Sequence, residues 1–159
     1  MSKISIIIPH HNNYEILNDC LQSLYKSDLN NAEIIIVNNN TTDKSIDRIQ
    51  IQYPDLLILN ASANKGYAGG CNYGANHAKG ELLVFLNNDT EVEKDWLNQL
   101  LGAIEYDSDI SSVQPKIINK KNKQKFDYAG GSGGFIDKYC YPFARGRIFN
   151  TIEKDEGQY

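Results

Sequence analysis

The apolar run Leu82 to Leu86 passes directly into Asn87, Asn88 and Asp89, so five residues suited to a buried strand end in two carboxamides and one carboxylate. Such groups can bind a polar ligand, or they can form an Asn-Asp turn that caps a helix starting near Val92. Three other apolar runs end in a similar way. Ile4 to Ile8 leads into Pro9-His10-His11-Asn12-Asn13, Ala32 to Val37 into Asn38-Asn39-Asn40-Thr41-Thr42-Asp43, and Leu56 to Leu59 into Asn60 through Asn64, Lys65 and Gly66. His10 and His11 are adjacent, and neighbours on an extended segment point opposite ways. They therefore read as one hydrogen-bonding or stacking histidine rather than as a shared metal site.

The elements between these exits explain why they should converge. Ile16, Leu17, Cys20, Leu21, Leu24 and Tyr25 lie on one helical stripe, with Asn12 and Glu15 at capping-box spacing. After the second run, Thr42 and Asp43 offer an N-cap and a favourable charge, Ile46, Ile49 and Tyr53 continue a stripe, and Pro54 stops it. Ala68 to Ala78 is rich in small residues and ends before Gly80, while Trp96, Leu97, Leu100, Leu101 and Ile104 form the clearest amphipathic helix. Residues 111–117, SSVQPKI, suggest a fifth strand. Strands alternating with helices imply right-handed crossovers and a parallel sheet, and in such sheets ligands bind outside the carboxyl ends of the strands. The four apolar runs are expected to be buried strands, with Pro9 closing the first, and the exits become one candidate site.

Composition narrows the partners. The 159 residues, 41% hydrophobic, suffice for one core, and 16 basic against 20 acidic residues leave a net charge of -4. That balance argues against nucleic acid or an anionic membrane as partner. The lysines at 116, 120, 121, 123 and 125 are interleaved with Asn119, Asn122 and Gln124 and read as a solvated loop. Cys20, Cys71 and Cys140 lack zinc-like spacing, and no run is long enough to form a transmembrane segment. The expected setting is reducing and cytoplasmic, with peripheral contact at the inner face of the membrane left open.

The segments ISIIIPHHNN, EIIIVNNNTTD, NKGYAGGCNYG and LLVFLNNDTEV, followed by Trp96-Leu97, recur in this order in the inverting family-2 glycosyltransferases of GT-A fold, which the chain resembles. The later stretch YCYPFARGR, running on to DEGQY, is similar to the segment that follows in a bacterial subgroup. The resemblance implies an α/β GT-A domain: a Rossmann-like, mostly parallel sheet with helices on both faces, truncated at its C-terminus. It also implies transfer of a sugar from a nucleotide-diphosphate donor to the hydroxyl of a glycan or lipid-linked acceptor, with inversion, in bacterial cell-surface polysaccharide synthesis.

On that likeness Asn87-Asn88-Asp89 is the counterpart of a DxD-type motif, with Asp89 on Mn²⁺ or Mg²⁺ and Asn87 and Asn88 on ribose hydroxyls or phosphate. One carboxylate suffices where substrate phosphates and waters complete the shell of an oxygen-seeking cation. Pro9, His11 and Asn12 on the first exit, with Asn38 and Asn40 on the second, fall at the nucleotide. An aspartate is usual where Asn38 stands. The Asn carbonyl can still accept from a pyrimidine N3–H and its amide can donate to a ring carbonyl, but the charge-assisted bond is lost and the base stays open. Asp43 matches the family's last aspartate in that motif and serves equally as a helix N-terminal charge. Asn64, Lys65 and Gly66 should approach the nucleotide sugar, with Gly69, Gly70 and Asn72 at a helix start whose free N–H groups favour phosphate. The plainer alternative makes Lys65 a surface lysine and the glycines packing residues.

In that family the base for the acceptor hydroxyl lies in an acidic motif beyond Tyr159. Asp127, Asp137, Glu153, Asp155 and Glu156 stand in no matching context, so the catalytic residue is left unassigned. The chain therefore reads as the N-terminal portion of a longer transferase. Residues 1–118 would be the nucleotide-sugar-binding part and 119–159 a loop-rich start of the acceptor-side part, with the glycines at 130–134 and Arg145-Gly146-Arg147 either lining or preceding the acceptor or, the reading favoured in a truncated chain, forming a mobile loop. The competing function is a non-catalytic nucleotide-sugar-binding module. A sugar-phosphate nucleotidyltransferase is disfavoured, because PHHNNYE stands where its glycine-, arginine- and lysine-rich phosphate loop would follow the first strand.

Overall fold

A computed structural model describes residues 4–127 and 131–158; Tyr128 to Gly130, which open the glycine-rich run, lie outside the described residues. The chain forms two compact units, Met1–Asn98 and Gln99–Tyr159. In the first, β1 (Ile4–His10), β2 (Glu33–Asn38), β3 (Leu57–Asn60) and β4 (Leu82–Phe85) alternate with α1 (Tyr14–Lys26), α2 (Ser45–Gln52) and α3 (Gly66–Ala75). All strand pairs are parallel and the order is β3-β2-β1-β4.

β1 is the spine of this sheet, buried at every position. Ile7 packs with Ile35, Val37 and the α3 residues Tyr73 and Ala75, while Ile6 and Ile8 point to the opposite face and are equally inaccessible, so both faces are covered. Gly70 and Gly74 allow α3 to lie close: a Cβ on Gly70 would stand 2.9 Å from Pro9 Cβ, and one on Gly74 would strike Ile7 Cγ2 and reach 3.0 Å from Val37 Cγ2. Tyr25 of α1 stacks on Tyr53 at the end of α2, ring centroids 5.3 Å apart.

Several local expectations are corrected. Pro9 does not close β1, which runs on to His10 in register with Asn38. The carbonyl of Ile7 accepts from Leu86 N–H toward β4 and that of His10 from Asn39 N–H toward β2. The N–H that Pro9 lacks would thus face the β4 side, where the register ends at Ile7 and Phe85. β3 and β4 are not buried runs, because each has one paired neighbour among the described residues; Leu57, Leu83 and Phe85 are 39%, 42% and 48% exposed. Asn13, not Asn12, caps α1, its side chain accepting from Ile16 N–H, since Asn12 is held by Thr42. The residue at the N-cap of α2 is Lys44, with no side-chain cap bond, and α3 starts at Gly66 and stops at Ala75.

The helix α4 (Trp96–Glu105) begins in the first unit, where its first turn is anchored by Trp96 Nε1–H on Ser27 Oγ at 3.2 Å and by buried Leu97. The expected strand at 111–117 does not form: Pro115 has no N–H to donate, and the segment offers only a single bridge just beyond it, Ile118 to Phe126. The tail has short strands of its own. It holds two short antiparallel pairs, β5 (Gly134–Ile136) with β6 (Pro142–Ala144) and β7 (Arg147–Ile148) with β8 (Thr151–Ile152). Phe126 is fully buried there, against Gly146 at φ +80°, where a Cβ would lie 2.7 Å from the ring.

Candidate functional site

The chain leaves β1 toward β2 and β3 on one side and returns to β4 on the other, so the β1/β4 boundary is the topological switch point of the sheet. The residues at the strand ends are tied to one another there. His10, only 1% exposed, places Nε2 2.8 Å from Ser45 Oγ at the start of α2 and Nδ1 2.9 Å from Asn88 Nδ2 after β4. Ser45 donates both its N–H, at 2.9 Å, and its hydroxyl to Asp43 Oδ1, and Asn13 N–H donates to the second carboxylate oxygen at 2.8 Å. The Ser45 hydroxyl above all, with the Asn13 N–H, lowers Asp43 to about 2, while burial lowers His10 to about 4 against the opposing pull of Asp43. At neutral pH the pair is a carboxylate and a neutral imidazole.

A second knot lies beside it. Asn39, 4% exposed, accepts from Lys65 N–H at 3.0 Å and donates to Asn64 Oδ1 at 3.1 Å and to the Gly66 carbonyl at 3.0 Å. Asn64 also accepts from Gly66 N–H at 2.9 Å. Gly66 itself adopts φ +67° with open space where a Cβ would be, a shape that leaves room for a ligand against the backbone. His11 Nδ1 sits 3.2 Å from the Asn39 carbonyl, and Pro9 lies under Gly70.

Asn38 ends β2 above a cavity of about 460 Å³ whose lining includes Thr41, Asp43, Ile46, Asp47 and Asn60. Its carbonyl accepts from both the N–H and the hydroxyl of Thr41, each at 2.9 Å, and its amide donates to Asn60 Oδ1 at 2.7 Å. The carbonyl thus has both lone pairs in use, and the group it leaves for a ligand is the second amide hydrogen. Asn12 is engaged by Thr42 on both its amide ends, clasping the first exit to the second. Asn40 and Asn72 are exposed and join neither knot.

Asn87 and Asp89 are exposed on the turn after β4, which Thr90 N–H closes on the Asn87 carbonyl at 3.3 Å. Cys20 lies 3.7 Å beneath that carbonyl; burial first, then the charge of Asp89, pushes its thiol up to about 12 and leaves it inert. Tyr67 at the start of α3 is likewise pushed up to about 12, by burial, by Cys71 and by Asp89. Among the described residues no three His, Cys, Asp or Glu side chains come together as a protein-only metal site. A lone exposed carboxylate fits a hard cation whose other ligands are phosphate and water, and does not fit a closed zinc-type site.

Of the residues tied together at this rim, Ser45 is not among the sequence candidates, and His10 and Asn39 stand there only as members of the polar exits, with no role of their own. Each is a polar side chain that points inward, and the available signal was the period of two along β1, which carries His10 to the strand end opposite Asn38. In the second unit, Asp137 accepts from the N–H groups of Tyr139 and Tyr141, and Asp155 pairs with Lys116 at 2.8 Å. Arg145 lies over the Phe135 ring and Arg147 donates to the Phe149 carbonyl.

A parallel sheet with polar strand exits gathered at its switch point defines an open α/β domain of the doubly wound kind, and the chain belongs to glycosyl transferase family 2, whose profile matches residues 5–152. Glycosyltransferase GlyA of Streptococcus pneumoniae serotype 4 is 30% identical over 113 residues, which are 69% of this chain and 16% of that protein. The poly(ribitol-phosphate) beta-glucosyltransferase of Bacillus spizizenii is 30% identical over 130 residues, 77% of this chain and 20% of its own length. The chain thus spans a fifth or less of these two relatives. The mannosyltransferase PcManGT of Pyrobaculum calidifontis, solved in complex with GDP-Man and Mn²⁺, superposes with a TM-score of 0.58 at 21% identity, over 73% of this chain and 34% of that one. Staphylococcus aureus TarS 1-349 in complex with UDP-GlcNAc gives 0.60 at 21% identity, over 74% and 38%. The fold is GT-A.

Proposed function

We propose that the chain binds a nucleotide-diphosphate sugar and a divalent cation at the rim of its sheet, as part of a protein that transfers the sugar with inversion to a glycan or lipid-linked hydroxyl. Bacterial surface polysaccharide is the setting suggested by relatives such as the poly(ribitol-phosphate) beta-glucosyltransferase, and a cytoplasmic site of action follows from a nucleotide donor. No described helix is long and apolar enough to cross a membrane. The observation that carries the reading is the convergence of the four strand exits on a polar, amide-rich rim at the switch point. By role, residues 1–118 hold the donor and 119–159 begin the acceptor side, a division that differs from the compact units.

The residues divide the work of binding. The cavity below Asn38 is sized for a nucleobase, and Asn38 with Asn60 offers mainly amide hydrogens to ring carbonyls. Asn64, Lys65 and Gly66, braced by Asn39, approach the diphosphate and sugar. Asn87 and Asn88 face ribose hydroxyls or phosphate. Asp89 would hold Mn²⁺ or Mg²⁺, which supplies charge neutralisation for the departing diphosphate. No described acid is assigned as the base that deprotonates the acceptor; Asp137 and Asp155 are engaged in the turn and ion pair already described.

The test is a thermal-shift screen of UDP, GDP and dTDP with and without Mn²⁺, on the wild type and Asp89→Ala. Stabilisation by one nucleotide only with metal, lost in the variant, supports the donor site; no stabilisation of the wild type by any of them removes it. A non-catalytic binding module would pass that screen yet show no sugar transfer when the longer protein is assayed.

A further inference from the structure

We propose that Asp43, Ser45 and His10 are positioning residues: their hydrogen bonds run in one direction and fix the Asn88 amide with its hydrogens turned inward and its carbonyl oxygen left for a hydroxyl of the donor. This rests on the donor-binding reading above and adds three residues to it.

The direction follows from what each group can do. A carboxylate only accepts, so the Ser45 hydroxyl proton is committed to Asp43. Ser45 Oγ can then serve His10 Nε2, 2.8 Å away, only as an acceptor, and Nε2 must carry the ring proton. A neutral imidazole with Nε2–H has a lone pair on Nδ1. That lone pair faces the Asn88 side chain at 2.9 Å, where only the NH₂ end can meet it. The Asn88 carbonyl oxygen is therefore turned away from His10, and no protein group among the described residues donates to it. Asn88 is half-buried, yet this oxygen is not among the buried atoms lacking a partner, so it faces solvent.

Two features stiffen the device. The Asp43 carboxylate is gripped at its second oxygen by Asn13 N–H at 2.8 Å, which fixes its plane from the α1 side. Ser45 and His10 are each 1% exposed, so water cannot substitute for either partner. Burial also keeps the imidazole neutral; a second proton would put a donor on Nδ1 and demand the opposite face of Asn88. Left free, a carboxamide can rotate and offer either end to a ligand. Held this way, Asn88 discriminates: a sugar or ribose hydroxyl can donate to it, whereas a fully ionised phosphate oxygen, which only accepts, cannot bond to it.

The experiment uses the ¹⁵N-labelled chain. Long-range ¹H–¹⁵N spectra at neutral pH should show the His10 ring as the Nε2–H tautomer alone, and Ser45→Ala should give a mixture of tautomers. Calorimetric titration with UDP, GDP and dTDP in Mn²⁺ should show Ser45→Ala binding roughly two- to ten-fold more weakly, the scale of one oriented hydrogen bond, and Ser45→Thr, which keeps the hydroxyl, should restore both tautomer and affinity. Asn88→Asp is the second variant: its carboxylate cannot donate to Nδ1, so the ring should take a proton there. A single Nε2–H tautomer surviving in Ser45→Ala, or a tautomer shift with unchanged nucleotide affinity, overturns the inference. Wild-type Nε2–H with no nucleotide binding at all overturns the donor reading instead, because the tautomer is read without any ligand.

Discussion

Asn88 and His10 stand 78 residues apart in the chain and meet nitrogen to nitrogen at 2.9 Å, joining the turn after β4 to the end of β1. This contact has a pH signature. In the unfolded chain His10 takes up a proton as pH falls below about 6.5, while in the folded protein burial holds it off until about 4. The unfolded state binds more protons across that window, so stability present above pH 6.5 is lost as pH falls toward 4. The linkage amounts to about 3 kcal/mol for a shift of this size. Urea melts of the wild type and His10→Gln between pH 4 and 7 should diverge in slope, the variant being flatter; parallel slopes would refute the assignment. Asp43, at about 2, titrates below this range and does not mask it.

Asp89 is exposed and, among the described residues, no hydrogen bond or ion pair holds its side chain in place, so Asp89→Ala should leave the melting temperature of the free protein unchanged. Saturating nucleotide with Mn²⁺, at about 100 times the dissociation constant, should raise the wild-type melting temperature by roughly 5–10 °C, the equivalent of about 2.7 kcal/mol. The variant should show little of that rise. An equal shift in both proteins would place the metal elsewhere.

Asn39 offers a test of the neighbouring knot. Asn39→Ala removes three hydrogen bonds from a buried side chain and strands the Lys65 N–H and the Gly66 carbonyl. A loss of about 2–4 kcal/mol is expected. Amide exchange measured residue by residue should accelerate at 64–69 and stay unchanged in β1 and β2; uniform acceleration would mean that Asn39 serves the sheet and not the loop.

Gly74→Ala addresses the packing that brings α3 onto the sheet. The added methyl meets Ile7 and Val37, both fully buried and without room to move aside. Destabilisation of about 1–3 kcal/mol is expected by denaturant titration, against near neutrality for Gly102→Ala, where nothing lies within 4 Å.

Much of this was legible in the sequence, and the reason is periodicity. Apolar runs at 4–8, 32–37, 56–59 and 82–86 each became strands because β-branched and leucine side chains pack well on a pleated surface, and the helices between them followed from stripes such as Leu17, Cys20, Leu21 and Leu24. What escaped is what depends on partners far away in the chain. Whether Leu83 is covered is decided by a neighbour of β4, not by its own run. Asn12 was available to cap α1 until Thr42 claimed it, and Asn38 appeared able to offer its carbonyl until Thr41 filled both lone pairs. His10 looked like one of two loop histidines, because Pro9 reads locally as the end of a strand, while only the sheet order shows that its missing donor has nothing to meet.

The pairing of β1 with β4 also has a consequence in folding time. Within this sheet the contacts between β1 and β2 and between β2 and β3 span 28 and 22 residues, as Ser5 to Glu33 and Asn38 to Asn60 illustrate, whereas His10 to Asn88 spans 78. Closing the longer loop costs about 1 kcal/mol more in chain entropy than the 28-residue one. A nascent chain can therefore zip β1, β2 and β3 together long before residue 88 exists, and the rim closes only when β4 arrives. The same step is the first to reverse when the sheet frays from its edge. A donor bound across the exits of β1 and β2 on one side and Asn88 and Asp89 on the other would act as a latch on that last-formed strand, so occupancy of the rim and attachment of β4 should rise and fall together.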